Sequence, residues 1–142
     1  MIGALILLGG LLALVLTCCP SNRDGMPGQL ATAKEETQSA ARSAALAVQL
    51  WSDGQSPGSL AAVQISDARD EVVKAYKDIA ELKANNHIDL DRQRLLTGAM
   101  TGMIDDLNAA SASLRGDAPT GDPQQLRQHL LSRADALEQA YR

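Results

Sequence analysis

A chain of 142 residues with 13 Lys and Arg against 17 Asp and Glu carries a formal charge of −4, too mild and too evenly spread to mark a nucleic-acid or anionic-lipid binder. With no Phe, one Trp, two Tyr and abundant Ala, the composition suits thin, closely approaching helices and argues against β-sheet. The only cysteines, Cys18 and Cys19, are adjacent, which excludes a disulfide framework.

The first element in chain order is an apolar run. Ile2 to Cys19 holds no charged side chain and only Thr17 as a strongly polar one, and every charged residue lies after it. At about 1.5 Å per residue this is about 27 Å of helix, close to the hydrocarbon thickness of a bilayer and longer than most signal-peptide cores. Residues 1–19 are therefore expected to act as a transmembrane signal anchor, with the membrane as the first partner.

The end of that run, Leu16-Thr17-Cys18-Cys19, resembles a bacterial lipoprotein signal, in which a small residue precedes the cysteine that is lipidated and becomes the mature N-terminus. The resemblance covers four residues and implies Cys18 or Cys19 as lipid acceptor and an extracytoplasmic body. Thr17 or Cys18 stands where Gly, Ala or Ser is usual, and no Lys or Arg precedes the run, so an uncleaved anchor is the first expectation and a lipoprotein the second. Arg23 and Lys34 after the run favour a cytoplasmic body by the positive-inside rule. A folded module behind an N-terminal apolar segment is a common secretory arrangement, and the expected side is extracytoplasmic.

Residues 20–28, with Pro20, Gly25, Pro27 and Gly28, read as a tether. The body is expected to span 29–142. Leu30, Ala33, Thr37, Ala40, Ala44, Ala47 and Trp51 recur at three- and four-residue steps and predict a helix over 29–52 with Trp51 plugging one end of an alanine-lined core. Ser52 to Gly58 breaks it, with Ser56 as cap and Pro57 as first-turn proline of the next helix. Ala61, Ile65, Ala68, Val72, Ala75, Ile79 and Leu82 predict that helix over 57–85, stopped by a left-handed Asn85 or Asn86.

Asp89 is expected to accept backbone hydrogen bonds at the start of a third helix, 90–115, whose seam is Leu96, Met100, Met103, Leu107, Ala110 and Leu114. Gly116 ends it. Asp122-Pro123-Gln124-Gln125 opens a fourth over 123–141, with Leu126, Leu130, Ala134, Leu137 and Tyr141 inward. Short connections favour antiparallel neighbours, so the expected fold is all-α: an N-terminal transmembrane or signal-anchor helix followed by an up-down four-helix bundle with coiled-coil-like seams.

Gly98 and Gly102 share one helical face at the spacing that lets helices approach closely. Flanking Arg92, Arg94, Asp105 and Asp106 exclude a membrane location, and two glycines in a soluble helix cost about 1 kcal/mol each relative to Ala. The expected occupant of that space is the Ala40/Ala44/Ala47 stripe of the first helix. A partner helix, or a small apolar ligand held with Met100 and Met103, is the alternative.

Other constellations carry less. Trp51-Ser52-Asp53-Gly54 is similar to the turn of WXG helical-hairpin proteins, but the spacing is one residue too long and Tyr76 is followed at the fourth position by Ala80 in place of an acid, so that family is excluded. Arg115-Gly116-Asp117 spells an adhesion tripeptide that a helix-ending glycine produces by itself. His87 and His129 have no carboxylate or second His at ligand spacing, so no metal or haem is expected. Glu35-Glu36, Asp70-Glu71 and Asp105-Asp106 are neighbours that point apart on a helix. No nucleophile or phosphate loop has a recognisable setting, and no enzyme or cofactor is expected. The expected function is a membrane-tethered helical interaction module, an accessory or scaffold protein holding an unidentified protein partner. A bundle carrying a small apolar molecule is the alternative, and a bacterial lipoprotein of unknown role the second.

Overall fold

The computed structural model describes residues 25–115 and 122–141. The run Ile2–Cys19, both cysteines and most of the tether lie outside the described residues. Among those described, no helix is long and apolar enough to cross a membrane.

Four helices and no strands make up the described chain: α1 Met26–Ser52, α2 Gly58–Ala80, α3 His87–Arg115 and α4 Pro123–Ala140. Each seam read from the sequence is buried along most of its length, while Trp51, Leu82, Leu114, Leu126 and Tyr141 are only partly buried. Leu30 and Val48 of α1, Ile65, Val72 and Ile79 of α2, Leu96, Met100, Met103 and Leu107 of α3, and Leu130 of α4 are the large side chains of a shared core.

Cross-helix pairs fix the directions. Lys34 bonds Glu138 and Arg127 bonds Gln49, so α1 and α4 run antiparallel, and Gln93 reaches back to Ile79 and Leu82 across the α2–α3 hairpin. The result is an up-down helical bundle, but an uneven one. α1 packs extensively on both α2 and α4, α3 packs mainly on α2, and α3 meets α4 only sparsely.

That central position explains the burial on α1. The expected stripe of Ala33, Thr37, Ala40, Ala44 and Ala47 is joined by Gln38, Ala41, Ala45 and Val48, widening the buried arc beyond one seam. A helix with a neighbour on either side needs such an arc, and alanine lets both approach closely.

Several boundaries differ from expectation. α1 begins at Met26, not 29, because Met26 is itself buried and Pro27 stands in the first turn, where a missing N–H goes unneeded. Gly25 precedes it at φ 84, a left-handed conformation that suits glycine. Pro57, at ψ 146, is the cap of α2 and not its first-turn residue, and Ser56 makes no cap bond to the helix.

α2 stops at Ala80, five residues short of 85, and no non-glycine residue among those described has a positive φ. Neither Asn85 nor Asn86 is therefore the left-handed stop. The Gln93 side-chain amide donates to the carbonyls of Ile79 at 2.6 Å and Leu82 at 3.0 Å, satisfying groups that a helix end leaves open. Asn86 acts at the next start: its Oδ1 accepts from the Asp89 N–H at 2.9 Å and its amide donates to the Asp89 carboxylate at 2.8 Å. This reciprocal cap starts α3 at His87, three residues before 90, and reverses the role expected of Asp89. At α4 the expected cap is present, with the Asp122 carboxylate accepting from the Gln124 N–H at 3.0 Å, and the helix closes at Ala140, one residue before 141.

Candidate functional site

The glycine pair on α3 does not face the alanine stripe of α1. Gly98 is exposed, and a Cβ built on it would meet nothing within 4 Å. Gly102 lies under α4: a Cβ there would stand 2.5 Å from Nη1 of Arg133. Two positions one turn apart are on similar faces, but only Gly102 has a side chain of α4 over it, while Gly98 is open to solvent. Met100 and Met103 are both buried, and of the two Met103 forms part of the wall of the groove between α3 and α4.

Arg133 crosses Gly102 to ion-pair with Asp106, four residues further along α3. The Asp106 side chain is only 12% exposed, and His129 Nδ1 stands 3.6 Å from its other oxygen. Gly102 therefore serves a guanidinium, not a helix backbone. No feature of the α3 sequence announces this, since the partner is supplied by α4; the only signal is a glycine four residues before an acid on the same face.

Beside this ion pair runs a groove of about 180 Å³ lined by Leu95, Ala99 and Met103 of α3 and Arg133, Ala136, Leu137 and Ala140 of α4. It follows directly from the sparse packing of the two helices. A larger hollow of about 650 Å³ near Ala109, Gln125 and His129 is open to solvent, and its walls include Ser113 and Asp122, close to either side of residues 116–121, which are outside the description.

α4 meets α1 through a different set of groups. Gln38, buried, donates to the Ala134 carbonyl at 3.1 Å and to Glu138 at 2.9 Å, and Lys34 pairs with the same carboxylate at 3.0 Å. Tyr141 has two cations near its ring, Lys34 Nζ at 5.5 Å and Arg92 at 5.7 Å from its centre, which ties the ends of α1, α3 and α4 together.

The remaining sequence candidates do not converge. Trp51 is half-buried over Gly58 at the α1–α2 turn, not a plug within the core. His87 is exposed and far in sequence and place from His129. Of the acid pairs, Asp70 bonds its neighbour Arg69 while Glu71 points elsewhere, and Asp105 is exposed while Asp106 is engaged. Among the described residues no three His, Cys, Asp or Glu side chains are grouped to hold a metal. Cys18, Cys19, Gly116 and Asp117 lie outside the description. Comparison with protein-family models, with curated proteins and with solved structures finds no match for this chain.

Proposed function

We propose that this chain is a membrane-tethered helical interaction module, which holds a protein partner near a bilayer and acts by binding, not by catalysis. The observation that carries the reading is the join between the uncharged run Ile2–Cys19 and a body whose charged residues all follow it. A helical bundle with a closed apolar core suits such a role, since its outer helical faces are rigid and available.

The ligand-carrier reading receives less support. The apolar groove between α3 and α4 is about 180 Å³, below the roughly 300 Å³ at which sites for drug-sized molecules begin. A lipid on Cys18 or Cys19 is a second way of making the same tether, and in either case the body is proposed to lie on the extracytoplasmic side.

Full-length protein is expected to resist alkaline extraction of membranes and to enter mild detergent, from which the partner co-purifies, while residues 25–142 expressed alone stay in the soluble fraction. Full-length protein recovered without membrane overturns the reading. Intact mass then separates the two tethers: an anchor retains residues 2–19, whereas a lipoprotein begins at Cys18 or Cys19 with added diacylglycerol mass.

A further inference from the structure

One end of the bundle carries the start of α1, the α2–α3 connection, the start of α3 and the end of α4. Lys34 near the start of α1 and Arg92 near the start of α3 both bring their cations within about 6 Å of the Tyr141 ring centre. Along their own helices Met26 lies about 12 Å beyond Lys34 and Ile88 about 6 Å beyond Arg92, both towards that end, at about 1.5 Å per helical residue. Ile88 is 52% exposed and Leu90 is 36% exposed, in the first turn of a helix that has no need of them for its own core.

Only residues 20–25 separate the apolar run from α1, and fully extended they reach about 20 Å. If the run or a lipid on Cys19 is in the membrane, this end of the bundle is therefore held at the bilayer. Leu60 and Val63, also exposed, sit near the start of α2 at the opposite end, where the length of α1 keeps them about 30 to 40 Å away when the bundle stands upright.

We propose that the first turn of α3, with Ile88 on one flank and Leu90 on the other, is a seat that inserts end-on into the interfacial layer of the bilayer and holds the bundle upright on its tether. The inference rests on the tethered reading above, and holds for either kind of tether. Around the seat Lys83, Arg92 and Arg94 are opposed by Glu81 and Asp91, with Asp89 buried against Asn86, so the surface carries no strong charge of either sign and does not require anionic lipid. Two apolar side chains bind a bilayer weakly by themselves, but a short tether raises their effective concentration at its surface. An upright bundle keeps the far end, with Leu60 and Val63, clear for a protein partner.

The test uses full-length protein in phosphatidylcholine vesicles, with and without brominated acyl chains that quench tryptophan at short range. The parent reports from Trp51 at the far end, and Ile88→Trp in a Trp51→Tyr background reports from the seat. Ile88→Trp with Trp51 retained guards against any effect of the second change on folding. Both reporters should float with the vesicles, the Ile88→Trp emission should be largely lost in brominated lipid, and the Trp51 emission should be retained; this pattern should persist in high salt.

Flotation with an unquenched Ile88→Trp reporter, or with equal quenching at both ends, overturns the seat and leaves the tether standing. Quenching that disappears in high salt overturns an apolar seat, and an unquenched reporter whose emission shifts with protein concentration assigns the patch to a second copy instead. Protein that does not float overturns the tether and the seat together.

Discussion

α4 has two neighbours and meets them by different means. Against α1 it lies close, over a surface in which Ala41, Ala45 and Gln38 are buried and Lys34, Gln38, Arg42 and Gln49 all reach polar groups on α4. Against α3 it touches sparsely, leaving an apolar groove spanned by one ion pair, Arg133 to Asp106. Small side chains on α1 let backbones approach, and the polar side chains flanking them then reach groups on α4. The larger Leu96, Met100, Met103 and Leu107 of α3 fill the centre of the bundle but hold its outer face away from α4. One helix pair is thus limited by space, the other by what fills it.

The sharpest contrast comes from removing volume on α3. Leu107 is fully buried, and Leu107→Ala should lose its transfer free energy and leave a cavity, costing about 2–5 kcal/mol. Urea denaturation of residues 25–142 would read this as a fall in midpoint. Adding volume on α1 tests the other side. Ala44 has no exposed surface, and Ala44→Leu should cost about 1–3 kcal/mol through overpacking. A neutral Ala44→Leu would mean that α1 is not held as closely as described.

The ion pair comes next. Asp106 is mostly buried and Arg133 is 39% exposed, so Asp106→Ala should cost about 1–2 kcal/mol, between the values for exposed and fully buried pairs. Denaturation at low and high salt would show the difference narrowing only partly as salt rises, because one member is shielded from solvent. Full convergence would place the pair on the surface and make the α3–α4 contact looser still.

What was legible in the sequence follows from this same contrast. Periodicity reports which residues are buried along one seam, so the sequence alone places Ile65, Val72, Met100 and Leu107 in the core. It does not report how many neighbours a helix has, and the second buried arc of α1 at Gln38, Ala41 and Ala45 was missed for that reason. Helix ends were legible where the bond is local, as at Asp122 and Gln124. They were not where a distant side chain such as Gln93 makes the stop. The Gly98/Gly102 spacing suggested one close-packed face, but spacing is blind to where the next helix crosses, and only Gly102 lies beneath it.

That division of the glycine pair leads to the smallest expected effect. Gly98 is exposed within α3, has a helical φ, and would place a Cβ in open space. Gly98→Ala should therefore raise stability by about 0.4–1 kcal/mol, by narrowing the unfolded ensemble and improving helix propensity without any new contact. Gly98→Leu should be tolerated for the same reason, with no overpacking. Gly102→Ala has the same propensity gain, but its methyl must push Arg133 from its path to Asp106, so its net gain should be smaller or absent. Thermal melts of the three variants of residues 25–142 separate the positions: a destabilised Gly98→Leu would return α1 or another helix to that face, and equal gains at Gly98 and Gly102 would show that Arg133 moves aside without loss.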